Sequence, residues 1–242
     1  MWSGPRTLST AMMRSFAARP DCVVVDEPLY AFYLAHTDIH HPAREAIMAS
    51  QPQDWATVVH ALTRDPLPAG RTLSYQKHMT HHLLPEVDRD ALAGLSHAFL
   101  LRDPRDLLRS YARVRSTPTL ADLGLPQQVE VFERFGGPVL DAADVLTDPR
   151  AALTSLCATL GIAFTPAMLS WPAGPHPADG VWAEHWYDGV RGSTGFAARR
   201  ATNDANNMAR EPLPTYLEPL LEQCLPYYET LATHRLSLTQ ET

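Results

Sequence analysis

Gly4-Pro5-Arg6-Thr7-Leu8-Ser9-Thr10, running into the helix-forming segment Ala11-Met12-Met13-Arg14, is the stretch on which the reading of this chain turns. It sets an arginine, three hydroxyl side chains and a series of backbone N–H groups on the turn that opens a helix. The first N–H groups of a helix have no partner within it and carry the positive end of its macrodipole, so a phosphate or sulfate binds there. The Gly-Lys-Ser/Thr ending by which triphosphate-binding loops place a lysine on the terminal phosphates and a hydroxyl on magnesium is missing. The run therefore reads as an oxyanion grip whose chemistry differs from nucleoside triphosphate hydrolysis.

Outward from this loop, short apolar strands alternate with amphipathic helices, the pattern of a parallel sheet covered on both faces. Cys22-Val23-Val24-Val25-Asp26, bounded by Pro20 and Pro28, reads as a buried strand. Segments 72–76 and 97–101 are the next candidates and 139–141 a weaker fourth. Helices are expected over 54–64, 127–134, 149–160 with a glycine stop at Gly161, and 214–232, the last interrupted by Pro219 and Pro226. The stretch 170–210 holds several glycines and prolines without a sustained period and reads as a long loop or lid over a site. A loop like 4–10 follows a central strand, yet only Met1 and Trp2 precede Ser3; that strand is expected either to be truncated or to be completed by residues upstream.

With 242 residues, the chain suits a single domain over 1–242 with one core. A hydrophobic content of 45% with 19% charged residues reads as soluble and globular, and no apolar run reaches bilayer-spanning length. The N-terminus lacks a basic segment followed by an apolar one. Cys22, Cys157 and Cys224 are far apart, odd in number and in apolar surroundings, as in a reduced, cytoplasmic protein. A net charge of −7 argues against nucleic acid as partner, and no membrane association is expected.

The second informative segment is Phe99-Leu100-Leu101-Arg102-Asp103-Pro104-Arg105-Asp106-Leu107-Leu108-Arg109-Ser110. Asp103 is a good N-cap, Pro104 fits the first helical position, and Asp106 stands where a capping box has its acid. None of this explains why Arg102 ends an otherwise apolar strand, at the carboxyl edge where open parallel sheets bind ligands.

Pro5, Arg6, Thr7, Ser9 and Thr10 resemble, in order, the 5'-phosphosulfate-binding loop of the sulfotransferases, Pro-Arg/Lys-Ser/Thr-Gly-Thr/Ser-Thr/Ser, with Leu8 where that family usually has glycine. Arg102-Asp103-Pro104-Arg105-Asp106 with Ser110 resembles the family's 3'-phosphate motif, in which the first arginine and the later serine hold the phosphate. More weakly, the helix ending at Leu160-Gly161 and the run Arg191-Gly192-Ser193-Thr194-Gly195-Phe196 are similar to the family's helix ending in Leu-Gly and to its C-terminal cofactor loop, which usually begins Arg-Lys-Gly.

The resemblance implies an α/β, three-layer P-loop-like fold with a central, mostly parallel sheet of about four to five strands flanked by helices. It also implies transfer of a sulfuryl group from 3'-phosphoadenosine 5'-phosphosulfate (PAPS) to a hydroxyl or amine of a small-molecule or carbohydrate acceptor, leaving 3',5'-ADP and needing no metal. Pro5, Arg6, Thr7, Leu8, Ser9, Thr10, Arg102, Ser110, Arg191 and Gly192 are then the cofactor-binding residues. Arg6 stabilises charge on the bridging oxygen. Asp26-Glu27-Pro28-Leu29 resembles the Glu-Pro after the second strand of carbohydrate-type and bacterial sulfotransferases, which makes Glu27 the general base, with Asp26 or His78 as alternatives. Lys77, ending another strand, resembles a lysine found there in the family and is expected at the leaving group.

His78, His81 and His82 share one face if their segment is helical, a spacing that can hold zinc, but no further ligand is evident nearby and no metal is assigned. Trp182, Trp186 and Tyr187 either line an acceptor pocket or simply pack. Two other readings stand beside this one. A P-loop-type small-molecule kinase needs a lysine and magnesium ligands that the first loop lacks, and an inactive nucleotide-binding protein of the same fold is compatible with Leu8.

Overall fold

The computed structural model describes residues 1–115, 117–196 and 212–238. Its elements are β1 (Trp2–Ser3), α1 (Ser9–Ala17), β2 (Cys22–Asp26), α2 (Tyr30–Ala35), α3 (Arg44–Ser50), α4 (Trp55–Thr63), β3 (Leu73–Met79), β4 (Phe99–Leu101), α5 (Pro104–Tyr111), α6 (Leu120–Leu123), α7 (Leu125–Phe135), β5 (Val139–Asp141), α8 (Ala142–Thr147), α9 (Pro149–Thr159), α10 (Ala183–Trp186), α11 (Asp188–Arg191) and α12 (Glu218–Ala232). The five strands form one parallel sheet in the order β2-β3-β1-β4-β5.

Side chains alternate across the sheet and divide the core in two. Leu100 and Leu140 pack with Met12, Met13 and Phe16 of α1 and Leu153 and Leu156 of α9. Phe99, Leu101 and Val139 pack on the other face with Val58 and Val59 of α4, Val131 of α7 and Leu231 of α12. This is the three-layer arrangement that the alternating pattern implies.

β1 is only two residues long yet occupies the middle of the sheet, pairing Trp2 and Ser3 with His78 and Met79 on one side and with Phe99 and Leu100 on the other. The chain leaves β1 for β2 on one side and returns to β4 on the other, so β1 is the topological switch point, beside which open α/β sheets bind ligands. Because the strands are parallel, the loops after β1, β2, β3 and β4 all emerge at one edge.

The structure corrects several expectations. β3 runs through Met79 rather than stopping at Gln76, because its distal half pairs with both Asp26 of β2 and the short β1. Lys77 therefore lies inside a strand. His78 is also on that strand, and only His81 and His82 lie on the following 3-10 turn, Thr80–His82, so the three histidines share no helical face. Pro219 opens α12 instead of interrupting it, and Pro226 lies within it without ending it. The expected irregular stretch 170–210 contains the two four-residue helices α10 and α11, too short to show a period; 197–211 lie outside the described residues. Asp103 caps α5 by accepting from Arg105 N at 2.8 Å, and Asp106 in its first turn accepts from Arg109 Nη1 at 3.3 Å. Among the described residues no helix is long and apolar enough to cross a membrane.

Candidate active site

The loop after β1 is held in a conformation that most side chains avoid. Arg6 has φ 60° and Leu8 φ 69°, both in the left-handed region that costs an L-residue about 1–2 kcal/mol. Leu8 thus adopts the backbone that the usual glycine takes for free. Thr7, buried, donates its hydroxyl to Gly4 O at 2.5 Å and closes the loop on itself. The helix begins with Met12 N donating to Leu8 O at 3.1 Å, so the N–H groups of Ser9, Thr10 and Ala11 precede its first internal bond. Leu8 also packs against the core face beneath α1, which helps offset the strain. Leu8→Ala keeps the strain and loses the packing, whereas Leu8→Gly loses the packing but relieves the strain. Leu8→Gly is therefore expected to be more stable than Leu8→Ala by about 1 kcal/mol in denaturant unfolding, the reverse of their order in an ordinary helix.

The two anion motifs meet across the switch point. Arg6 Nε donates to Ser110 Oγ at 3.1 Å, using one of the five donors of its guanidinium. Arg102 Nη1 donates to Arg6 O at 2.5 Å and braces the strained loop. Arg6, Arg102 and Ser110 line one cavity of about 400 Å³, together with Pro5, Thr7, Leu8, Ser9 and Thr10. The lining also includes Val190, Ser193 and Phe196 of the late segment, although not Arg191 or Gly192. Arg191 ends α11, and its Nε is buried without a partner among the described residues.

Glu27 lines the same cavity. Its φ of 41° is unusual twice over, since the residue before a proline is biased to extended backbone. The conformation is over-determined by its neighbours: Glu27 N donates to Lys77 O at 2.9 Å, and Glu27 O accepts from Tyr30 N at 3.0 Å and Gln51 Nε2 at 3.2 Å. Its side chain accepts from Lys77 Nζ at 2.6 Å. Lys77, fully enclosed, also donates to Asp26 Oδ1 at 3.0 Å and contacts Tyr187 OH at 2.5 Å. The ammonium expected at the leaving group is thus engaged by two carboxylates and a phenol.

One cation between two buried anions leaves the cluster with an excess negative charge. Burial, reinforced by Asp26 and opposed by Lys77, raises the proton affinity of Glu27 above that of an ordinary carboxyl. Burial disfavours the charge on Lys77, but Asp26, Glu27 and Tyr187 outweigh it and keep the ammonium protonated well beyond the usual lysine range. Asp26 sits behind Glu27, accepting from Gly180 N at 3.1 Å and from Tyr187 OH at 2.8 Å, and does not line the cavity. His78 is also off the cavity; its ring stacks on Trp2 with centroids 4.3 Å apart, and burial holds its pKa well below that of a free imidazole. Of the three candidate bases, Glu27 alone faces the open space.

Lys77 also reaches the cavity, and much of the rest of the lining is aromatic. Tyr30, His81, His82, Tyr111, Trp186 and Tyr187 supply it. His82 is stacked by Tyr30 at 4.3 Å and by Tyr33 at 4.8 Å. Burial keeps both histidines neutral, pushing His81 down to about 4 and His82 well below its ordinary value. Trp182 takes the packing role, buried and donating to Tyr187 OH at 3.2 Å, whereas Trp186 and Tyr187 face the cavity. The bond from Tyr187 to Lys77 and Asp26 had no local signal, because about 110 residues separate it from the lysine. Across the segment, Arg14 binds Asp179 at 2.7 Å, both nearly enclosed, and helps dock the stretch that supplies Tyr187.

A family model for the sulfotransferase domain matches residues 1–234. Two curated proteins of Arabidopsis thaliana, branched-chain-amino-acid aminotransferase-like proteins 2 and 1, are 34% and 36% identical to it over 238 residues, 96% of this chain. The chain spans only 41% of the length of either, and their names describe the whole proteins. Among solved structures, the sulfotransferase domain of the Synechococcus PCC 7002 olefin synthase aligns with a TM-score of 0.57 at 18% identity, covering 96% of this chain and 92% of that one. The sulfotransferase domain from the curacin biosynthetic pathway aligns with a TM-score of 0.50 at 15% identity, covering 98% and 97%. At such identities the likeness is one of fold, and it is the fold that the sheet order and the switch-point cavity describe. Family match, sheet and motifs agree: the chain belongs to the sulfotransferase domain family.

Proposed function

We propose that the chain transfers a sulfuryl group from PAPS to a hydroxyl or amine of a small-molecule or carbohydrate acceptor. The observation that carries this reading is the convergence of the two anion motifs on one cavity that a buried carboxylate, Glu27, also lines. The donor set fits a cofactor charged at both ends. Arg6, Ser9, Thr10 and the first N–H groups of α1 suit the 5'-phosphosulfate, and Arg102 with Ser110 suits the 3'-phosphate. The volume is within the range of small-molecule sites. When bound, PAPS supplies an electrophilic sulfuryl group whose leaving group is 3',5'-ADP.

The chain's own part is positioning and proton handling. Arg6, fixed by Ser110, places positive charge where negative charge grows on the bridging oxygen. Glu27 takes the proton from the acceptor hydroxyl or amine. The uncharged aromatic wall of Tyr30, Trp186 and Tyr187 orients an acceptor and limits water. In this reading Arg191 and Gly192 belong to cofactor binding through the segment whose Val190 and Ser193 line the cavity.

The test is thermal unfolding with 3',5'-ADP and, separately, with ATP and magnesium, since a ligand of the folded state raises its apparent stability. 3',5'-ADP is expected to stabilise without metal and ATP with magnesium to do far less. Arg102→Ala is expected to weaken 3',5'-ADP binding by about 1–3 kcal/mol, the worth of a charge-assisted bond. Stabilisation by ATP with magnesium alone points to the kinase reading instead, and calorimetric affinity unchanged in Arg102→Ala removes that residue from the site.

A further inference from the structure

We propose that Lys77, Asp26 and Tyr187 are positioning residues for Glu27, fixing its carboxylate at the cavity wall and governing when it carries its proton. The inference rests on the role of Glu27 given above and adds to it the machinery behind that residue. Asp26 and Lys77 are Cα partners on neighbouring strands, so the sheet register itself sets the lysine between the two carboxylates. Its nitrogen lies 2.6 Å from Glu27 Oε1 and 3.0 Å from Asp26 Oδ1. Tyr187 enters from the late segment and places one hydroxyl 2.8 Å from Asp26 and 3.3 Å from Glu27 Oε1. The buried ammonium has three donors, and all three are directed at this cluster. Two carboxylates and a phenol share it, and only Glu27 of the four opens onto both the cavity and a strained backbone.

The groups facing Glu27 are Asp26 from β2, Lys77 from β3, Tyr30 from α2, Tyr187 from the late segment, His82 from the turn after β3 and Arg6, which lines the same cavity. Burial keeps His82 and Tyr30 uncharged through the working range. Beyond burial itself, the balance at Glu27 is set by its bonds from Lys77 and Tyr187 and by the neighbouring charge of Asp26, and these influences have opposite sign. Asp26 repels a second negative charge and favours the protonated form. Lys77 and the Tyr187 hydroxyl favour the ionised form.

Opposite signs make the proposal testable without an acceptor in hand. The carboxyl band of Glu27 is followed by difference infrared titration of the ligand-free protein, assigned by its loss in Glu27→Gln. Asp26→Asn is expected to move the midpoint down by about one pH unit or more, and Tyr187→Phe to move it up by a smaller amount. Both substitutions nearly preserve side-chain volume, and Tyr187→Phe changes no charge, so it decides the matter alone where Asp26→Asn impairs folding. Shifts of one sign in both variants, or no shift in Tyr187→Phe, overturn the proposal. A purely structural role lowers thermal stability in both variants and leaves the midpoint in place. Failure of 3',5'-ADP to stabilise the protein overturns the sulfuryl-transfer reading instead, and leaves this titration standing as a property of the cluster.

Discussion

Glu27→Gln is expected to lower turnover by about 10²-fold or more, the range over which general bases contribute, while leaving the affinity for 3',5'-ADP nearly intact. The substitution is isosteric, and its amide oxygen can still accept from Lys77 Nζ, which now lies 2.6 Å from the carboxylate. What it cannot do is accept a proton. Because the groups proposed for the phosphates lie on the loop after β1 and at the end of β4, the substitution leaves them unchanged. The measurement pairs the rate of 3',5'-ADP formation from PAPS with calorimetry of 3',5'-ADP binding. Normal turnover would falsify the base assignment and leave Glu27 as a strand-end residue in a strained conformation.

The second large effect concerns stability. Lys77→Met leaves Asp26 and Glu27 adjacent and buried with no cation between them, the circumstance in which breaking a buried pair typically costs about 3–5 kcal/mol. The loss depends on pH with a definite sign. In the folded variant at least one carboxyl holds its proton more tightly than in the unfolded chain, where a glutamate titrates at about pH 4.3. Above that pH the folded state binds more protons than the unfolded one, so stability falls as pH rises. The deficit relative to the parent is expected to be larger at alkaline than at mildly acidic pH in denaturant unfolding. A deficit independent of pH means that the lysine contributes through its packed stem alone.

The parts of the site that could be read from the sequence obey local rules. Arg6 through Thr10 precede a helix start, and Arg102 with Asp103 and Pro104 marks a strand edge followed by a capped helix. In both, the oxyanion donors are the backbone and side chains of the turn itself. Cys22–Asp26 and Val139–Asp141 were legible for a similar reason, being compact apolar runs bounded by turn residues. The far end of β3 was not, because Lys77 and His78 look like polar residues beyond a strand that stops at Gln76. They are buried because Asp26, Glu27, Tyr187 and the Trp2 ring supply partners from other parts of the chain. Whether His78, His81 and His82 share a face was undecided in the sequence for the same reason, since it is pairing with β1 that puts His78 on a strand.

The sequence by itself determined the parallel α/β architecture, the two anion motifs and their order, and Glu27 as one of three possible bases. Those features depend on periodicity, capping and turn chemistry within a few residues of each other. Only the tertiary structure decided that Leu8 takes up the left-handed backbone glycine normally provides, that Arg102 braces the Arg6 carbonyl, and that Glu27 faces the cavity while Asp26 and His78 do not. It alone revealed Lys77 as the shared cation of a buried cluster closed by Tyr187. The physical reason is one of range. A buried charge is tolerated only with partners, and here those partners come from strands and segments some 50 to 110 residues away, brought together by the sheet register and the docking of the late segment.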